Sequence, residues 1–110
     1  MEKTSLPHLG EADFDRHTFE SAEPALVFFG AERCSVCQEL LPVVEELAAE
    51  FSKVRMYWVD VDINKSLFSR FRLRGIPTLL AFKDGVAGKR LGGLRTREEL
   101  NAFLQTFDGP

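Results

Sequence analysis

Short apolar runs and helically spaced apolar residues alternate along the chain. Residues 25–29, "ALVFF", form a continuous apolar run, which is typical of a strand buried on both faces in a sheet covered by helices. From Gln38 onward the apolar residues recur with the spacing of one helical face, and Pro42 predicts a kink in that helix. The residues on this face are Leu40, Val44, Leu47, Ala48 and Phe51.

The neighbouring elements are shorter. A weak extended stretch is expected at residues 6–9 and a short helix at residues 12–20, both before the first strand. Residues 54–62, "VRMYWVDVD", predict a second strand because they are rich in β-branched and aromatic side chains. The next element is a short helix that Gly75 is expected to end. Its apolar residues are Leu67, Phe68 and Phe71.

The last third of the chain predicts two strands and a helix. Residues 78–82 favour a strand that runs into a Lys-Asp-Gly turn, and residues 88–91 a further short strand. Thr96 and Glu99 match the capping box that begins many helices. The apolar face of this last helix consists of Leu100, Phe103, Leu104 and Phe107. Helices and strands therefore mix throughout the chain, which predicts an α/β fold.

The composition is that of one globular domain and excludes several classes of protein. The 110 residues are 45% hydrophobic and 28% charged, enough for a single core spanning residues 1–110 without cross-links. A net charge of −3 leaves no basic excess for general nucleic-acid binding. No apolar run approaches the length of a membrane span, and the polar start lacks the apolar core of a signal peptide. We therefore expect a cytoplasmic protein that binds neither nucleic acid nor membrane.

Both cysteines, Cys34 and Cys37, lie between the first strand and the long helix. In a reducing compartment a pair that closes so small a loop is a poor structural staple, so chemistry explains it better. We expect the two residues on one face of the first helical turn, close enough for a disulfide. Unpaired N–H groups and the helix dipole would favour a thiolate on Cys34. Arg33 would act in the same direction and Glu32 against it.

Two other uses of the cysteines are less well supported. The residues could be buried structural thiols, or they could bind a metal together with His8 or His17. A zinc ion needs four ligands, however, and both histidines belong to a different element from the cysteines. We therefore expect no metal site.

The cysteines are part of a longer pattern. Pro42 follows Cys37 by five residues, "GIPT" occupies residues 75–78, "FKDG" occupies residues 82–85, and a glycine pair begins at residue 92. From about residue 8 to residue 107 this pattern resembles the thioredoxin family. The resemblance implies the thioredoxin fold, an α/β architecture with a mixed central β-sheet flanked by helices on both faces.

The resemblance also implies roles for individual residues. Cys34 would attack a target disulfide to form a mixed disulfide, which Cys37 would resolve. The Ile76–Pro77 bond would be cis, pack against the cysteines and keep metal away from them. The residues implied in the groove for an extended substrate segment, or beside the cysteines there, are Arg33, Ser35, Val36, Gly75, Ile76, Pro77 and Gly92.

Partners and electron source follow from the same resemblance. It implies disulfide-containing target proteins, no bound cofactor, and a redox-active Cys34–Cys37 disulfide. Electrons would come from a thioredoxin reductase that uses a flavin and NADPH. The expected function is a cytoplasmic protein-disulfide reductase that acts as a monomer. The alternatives are a more oxidising disulfide exchanger or isomerase, and a non-catalytic binding module that keeps the fold.

The sequence departs from the family at the site itself. The family usually has "WCGPC" where this chain has "RCSVC". Phe28 stands where the family carries a buried aspartate, and Trp58 stands where a lysine partners that aspartate. The usual proton acceptor for Cys37 is therefore missing. Either Glu32, Asp62 or water takes the proton, or resolution of the mixed disulfide is slow.

Four arginines near the motifs allow two interpretations. Arg70, Arg72 and Arg74 precede the expected cis-proline, and Arg33 precedes Cys34. Such a run is usually a solvated face. The alternative is a local positive rim that attracts acidic partner proteins to the thiolate.

Overall fold

The computed structural model describes residues 4–108, with the backbone alone for residues 107 and 108. Helices and strands are mixed along this part of the chain, as expected. In chain order they are α1 (Phe14–His17), β1 (Ala25–Gly30), α2 (Ser35–Glu50), β2 (Arg55–Asp60), α3 (Lys65–Arg70), β3 (Thr78–Lys83), β4 (Val86–Gly92) and α4 (Arg97–Asp108). The predicted place of the Phe107 side chain on the last helix lies outside the described residues.

The sheet is mixed, with the strand order β2-β1-β3-β4. Strand β1 pairs with β2 in parallel, and β3 lies antiparallel to both β1 and β4. In this register Phe28 lies opposite Trp58 on one side and Leu79 on the other. The end of β1 therefore lies beside the end of β2 and the start of β3, and it is this end of the sheet that leads to the cysteines.

Helices cover both faces of the sheet. On one face Leu26 and Phe28 pack with residues of α2 and α4; we call this the α2/α4 face. On the other face Val27 and Phe29 pack with residues of α1 and α3; we call this the α1/α3 face. All of β1 is buried, because successive side chains of a strand point to opposite faces and both faces are covered. The prediction from the continuous apolar run is confirmed, and so is the expected α/β architecture of a mixed central sheet with helices on both faces.

Some predicted boundaries are wrong. Helix α3 ends at Arg70 rather than at Gly75. The left-handed residue after this helix is Arg72, with φ of 53°, and its N–H donates to the Ser69 carbonyl. Glycine is the usual residue at such a position because it has no Cβ. Local hydrogen bonding holds an arginine there instead.

The start of the chain contains less regular structure than expected. Helix α1 covers only Phe14–His17, within the expected range of residues 12–20. The expected extended stretch at residues 6–9 forms a single parallel bridge between His8 and Trp58. Helix α2 begins at Ser35, three residues before Gln38, where the apolar helical spacing starts. The helix contains Pro42.

Two local predictions near the end of the chain are confirmed. The Glu99 N–H donates to Thr96 Oγ1 over 3.1 Å, and the Thr96 N–H donates to a Glu99 carboxylate oxygen over 2.8 Å, which completes the capping box. The turn between β3 and β4 has positive φ at Asp84 (55°) and at Gly85 (75°). Positive φ at both central residues identifies a two-residue hairpin turn of type I′.

No helix within residues 4–108 is both long enough and apolar enough to cross a membrane.

Candidate active site at the end of strand β1

Three chain segments meet at the end of β1. The register pairs Phe29 of β1 with Thr78 of β3, and Thr78 in turn with Gly92 of β4. Because Pro77 directly precedes Thr78, the proline lies beside the segment that links β1 to α2. The Gly93 N–H donates to the Pro77 carbonyl over 3.0 Å, which ties the glycine pair to the proline. The sheet register thus brings the two motifs together across about forty residues of sequence.

The two cysteines occupy different positions at the start of α2. Cys34 is the N-cap residue, with extended backbone angles (φ −90°, ψ 108°), and Cys37 lies in the first turn. The two cysteines therefore lie close together, as expected, but only Cys37 is within the helix. The Cys37 N–H donates to Cys34 Sγ over 3.2 Å, as an N-cap side chain accepts a bond from the first turn. A hydrogen bond of this kind stabilises negative charge on the accepting sulfur.

The two cysteines also differ in their solvent exposure. Cys34 is half-buried, whereas Cys37 is 0% exposed. The pKa of the Cys37 thiol is raised to about 12, chiefly because burial penalises the thiolate and also because the neighbouring Cys34 sulfur interacts with it. Solvent and a large partner can therefore reach Cys34 first, while Cys37 keeps its proton.

The Ile76–Pro77 bond is cis, as the resemblance implied. The Cys34 thiol points to the Ile76 carbonyl, with 3.9 Å between Sγ and the oxygen. Pro77 is buried and Ile76 is half-buried, and Ile76 and Cys34 both pack against the margin of each core cluster. The half-exposed sulfur thus lies against the backbone just before the proline.

A groove of about 470 Å³ opens beside this backbone. Its lining includes four residues of the expected groove or its immediate neighbourhood, namely Gly75, Ile76, Pro77 and Gly92. Arg72, Arg74, Thr78, Arg90 and Gly93 also line it. The sequence offered no signal for Arg90, because its place depends on the pairing of Arg90 with Leu80 in the sheet.

The other three residues expected near the cysteines lie on the α2 side. Ser35 is exposed and Val36 is half-buried, both in the first turn of α2. Arg33 is exposed and forms a bidentate pair with Asp62, with Nε–Oδ2 of 2.8 Å and Nη2–Oδ1 of 3.0 Å. The register explains this pair, since Gly30 lies opposite Asp60 and the two chains leave the sheet side by side.

This ion pair changes the expectation for Asp62 as a proton acceptor. The Arg33 guanidinium holds the pKa of the Asp62 carboxyl below its usual range, and Asp62 holds the pKa of Arg33 above its own. A carboxylate with a lowered pKa, bonded through both oxygens, is a weak base. Water or Glu32, which is exposed, remains as the acceptor among those expected.

The aromatic rings of Phe28 and Trp58 occupy the positions where the family carries an aspartate and a lysine. Phe28 and Trp58 are 0% and 3% exposed, and their ring centroids lie 5.2 Å apart. Both belong to the same core cluster as Cys37. A Cβ on Gly30 would lie 2.8 Å from the Trp58 ring and 2.9 Å from the Phe28 ring, so only glycine fits at the end of β1. The interior behind the cysteines is therefore apolar.

The histidines lie apart from the cysteines. His8 is near the Trp58 ring and His17 near the Tyr57 ring, with centroid separations of 6.5 Å and 5.6 Å. Within the part of the chain that the structure describes, no three His, Cys, Asp or Glu side chains are grouped so that they could hold a metal.

Comparison with known proteins agrees with this geometry. The family model for thioredoxin matches residues 5–106. A thioredoxin from Acidithiobacillus ferridurans is 33% identical over 103 residues, covering 93% of this chain and 95% of its own. A thioredoxin from Haemophilus influenzae is 39% identical over 100 residues, covering 89% of this chain and 94% of its own.

A plant relative is longer. Thioredoxin X, chloroplastic, from Arabidopsis thaliana is 34% identical over 102 residues, which cover 90% of this chain but 56% of the relative. The chain therefore spans about half the length of that protein. The match to the family model, the mixed sheet and the cysteine pair at the start of α2 lead to one conclusion: the chain belongs to the thioredoxin family of thiol–disulfide oxidoreductases.

Proposed function

We propose that the protein reduces disulfide bonds in target proteins by cycling between a Cys34/Cys37 dithiol and a Cys34–Cys37 disulfide. One observation carries the proposal. Cys34 Sγ accepts the Cys37 N–H at 3.2 Å and faces the Ile76 carbonyl at 3.9 Å, while Cys37 is buried behind it. A two-step exchange needs this arrangement, because the Cys34 sulfur is accessible to the target and the buried Cys37 sulfur reacts only afterwards.

In the first step the Cys34 thiolate attacks one sulfur of the target disulfide. The target S–S bond breaks, a mixed disulfide with Cys34 forms, and the released target thiolate takes a proton from water. In the second step Cys37 loses its proton and its thiolate attacks Cys34 Sγ. The bond between Cys34 and the target breaks, and the second target thiolate leaves and takes a proton from water. The protein is left with its own disulfide, and two electrons have passed to the target.

The two steps are ordered by the state of Cys37. Its high pKa keeps it protonated during the first attack. Part of the increase in pKa comes from the Cys34 sulfur, and this contribution weakens once Cys34 carries a neutral disulfide. Burial still opposes ionisation, and the rings of Phe28 and Trp58 provide no acceptor. We therefore propose that loss of the Cys37 proton limits the second step.

The proposed contact surface for targets surrounds Cys34. Gly75, Ile76, Pro77 and Gly92 would hold an extended segment of the target through its backbone, because they line the groove next to the sulfur. Arg33, Ser35 and Val36 would contact the target from the α2 side. Exposure of Arg33 and Ser35 supports this part of the proposal.

The rest of the cycle is proposed from the family. No cofactor would be bound, and a thioredoxin reductase with flavin and NADPH would return the disulfide to the dithiol. The chain would act as a single monomeric domain of residues 1–110. The cytoplasmic location stays a prediction, since a chloroplastic protein is among its relatives.

The thiol–disulfide equilibrium of the purified protein tests the proposal. Free thiols are trapped and counted by mass in graded dithiothreitol buffers. A two-electron potential near −270 mV, roughly that of a reducing thioredoxin, supports a reductase. A value of about −180 mV or above indicates a more oxidising exchanger or isomerase. Thiols that never form the disulfide would leave only a binding module with this fold.

Trapping variants test the order of the steps. Cys37→Ser should accumulate a mixed disulfide with a protein substrate, visible by mass, because the second attack cannot occur. The matched control Cys34→Ser should form no such adduct, since Cys37 is buried. Equal adduct formation by the two variants would contradict the assigned roles.

A further inference from the structure

We propose that the preferred targets carry acidic residues next to the disulfide cysteine, and that Arg72, Arg74 and Arg90 bind these carboxylates in the groove beside Pro77. This inference rests on the proposed function, since it names the substrate class of the same site. It differs from the rim expected from the sequence, which included Arg33 and Arg70.

The groove lies where a target must lie. Its lining includes Ile76, whose carbonyl is 3.9 Å from Cys34 Sγ. A segment bonded to Cys34 therefore passes directly beside the groove. At roughly 3.3 Å per extended residue, the residues nearest the attacked cysteine are the ones within reach of it.

Two of the four arginines expected in the rim, Arg33 and Arg70, already have carboxylate partners. Arg33 is bonded to both oxygens of Asp62. Arg70 forms an ion pair with Asp15 over 2.8 Å. The Arg70 guanidinium also lies 5.3 Å from the ring centroids of Phe19 and Phe71, at the α1/α3 face. Each of these cations has its own carboxylate partner and is not directed to the groove.

The three groove arginines have no such partner. Among the ion pairs formed by the side chains of residues 4–106, none involves Arg72, Arg74 or Arg90. One nitrogen of Arg90 donates to the Phe71 carbonyl over 2.9 Å, which holds the side chain and leaves other N–H groups available. The described residues that line the groove include these three cations and no carboxylate. A cationic groove thus exists on a chain whose net charge is −3.

Backbone structure holds these arginines beside the groove. Leu73, between Arg72 and Arg74, is buried in the core of the α1/α3 face, and its N–H donates to the Phe68 carbonyl. Both flanking arginines are exposed. The groove is therefore preformed, and guanidinium groups are well suited to a carboxylate because they bind it through two parallel hydrogen bonds.

Matched peptide substrates test the inference. Each peptide contains one disulfide, and the residues beside the attacked cysteine are Glu, Gln or Lys, placed before it in one set and after it in another. The rate constant for reduction by the pre-reduced protein is measured by stopped flow. We expect the Glu peptide of at least one set to react faster than its Gln peptide, and the Lys peptide to react more slowly. In about 1 M salt, where the screening length is ~3 Å, the differences should vanish.

Arginine and lysine variants distinguish an effect of the groove from an effect of the overall charge. Replacing Arg72, Arg74 and Arg90 by Gln should remove the preference for Glu, at about two- to fivefold per arginine, which corresponds to ~0.4–1 kcal/mol for an exposed charge pair. The control replaces Lys53, Lys83 and Lys89 by Gln. It removes the same charge from residues that do not line the groove, and it should keep the preference.

The uncharged substrate bis(2-hydroxyethyl) disulfide distinguishes the two possible failures. If the wild type reduces it but treats Glu, Gln and Lys peptides alike, the inference is overturned and the proposed function stands. Loss of the preference in the lysine control would also overturn it, because the effect would then reflect net charge. If neither this substrate nor any peptide is reduced, the proposed function itself fails.

Discussion

Phe28 and Trp58 lie opposite one another in the parallel register of β1 and β2, with their ring centroids 5.2 Å apart, inside the core cluster that contains Cys37. These are the positions where the thioredoxin family carries a buried aspartate and a lysine. Two rings in contact supply packing but no group that exchanges protons. The structure therefore combines a buried Cys37 thiol with an apolar interior.

The first prediction concerns the rate of the second step. Phe28→Asp should speed the release of target from the mixed disulfide, because it places a carboxylate among the residues that surround Cys37. It should also lower the free energy of unfolding by at least ~3 kcal/mol, since a large ring and its contacts are lost. Stopped-flow kinetics and urea unfolding measure the two effects.

Phe28→Leu is the control for this experiment. It removes the ring but adds no acceptor, so it should cost stability without faster release. If Phe28→Asp folds and releases target no faster than Phe28→Leu does, the missing acceptor does not limit the step.

The second prediction concerns alkaline stability. A thiol that ionises near 9.0 when unfolded and at about 12 when folded favours the unfolded state once the pH rises above the lower value. The contribution of Cys37 to stability is therefore full below about pH 9 and is lost as the pH approaches 12. The slope is at most about 1.4 kcal/mol per pH unit.

Urea unfolding of the reduced protein and of Cys37→Ala, followed from about pH 7 to pH 11, tests this. Tyr57, whose pKa is raised by burial, is present in both proteins, so its effect cancels in the difference. We expect the difference in unfolding free energy between the two proteins to be constant at neutral pH. Above about pH 9 the wild type should lose stability relative to Cys37→Ala. Parallel curves over the whole range would contradict the buried, protonated state of Cys37.

The third prediction concerns the pair of Arg33 and Asp62. Asp62→Asn frees the Arg33 guanidinium, which precedes Cys34, so the rate of attack on an anionic disulfide such as Ellman's reagent should rise. The rate with bis(2-hydroxyethyl) disulfide should change less. Asp84→Asn is the control, since it removes an exposed carboxylate from the far end of β3. Equal rate increases in the two variants would show an effect of net charge only.

The fourth prediction concerns Gly30. A Cβ there would come within 3.0 Å of both Trp58 and Phe28, so Gly30→Ala should lower the free energy of unfolding by about 1–3 kcal/mol through overpacking. Gly88→Ala is the matched control on β4, where the nearest atom to the new Cβ would be the Ala81 carbonyl oxygen at 3.6 Å. Urea denaturation should show a clearly larger loss of stability for Gly30→Ala than for Gly88→Ala. Similar stabilities of the two variants would mean that the rings rearrange at little cost.

Local patterns in the sequence were sufficient for much of the fold. The run at residues 25–29 predicted a strand buried on both faces, because a period of two leaves no polar face when both sides are covered. Thr96 and Glu99 predicted the start of the last helix, because a capping box needs only residues three apart. Resemblance of "GIPT" to the family motif was enough to expect the cis bond at Pro77, which is confirmed.

Local patterns failed where hydrogen bonds at a helix end decide the outcome. Gly75 was expected to end α3, but hydrogen bonds to Ser69 and Phe68 end it earlier and place Arg72 in the left-handed region. Spacing alone brought the two cysteines together but placed both within the helix. The backbone of Cys34 is extended instead, because an N-cap residue must leave the helix for its side chain to accept the Cys37 N–H.

By itself the sequence determined the order of the elements, their buried faces and the candidate cysteine pair, because each depends on residues within a few positions of one another. The tertiary structure alone decided which charges remain available. Arg33 meets Asp62 because β1 and β2 run in parallel, and Arg90 meets the groove because β4 pairs with β3. Attraction between charges depends on distance in space, and the sheet register sets that distance.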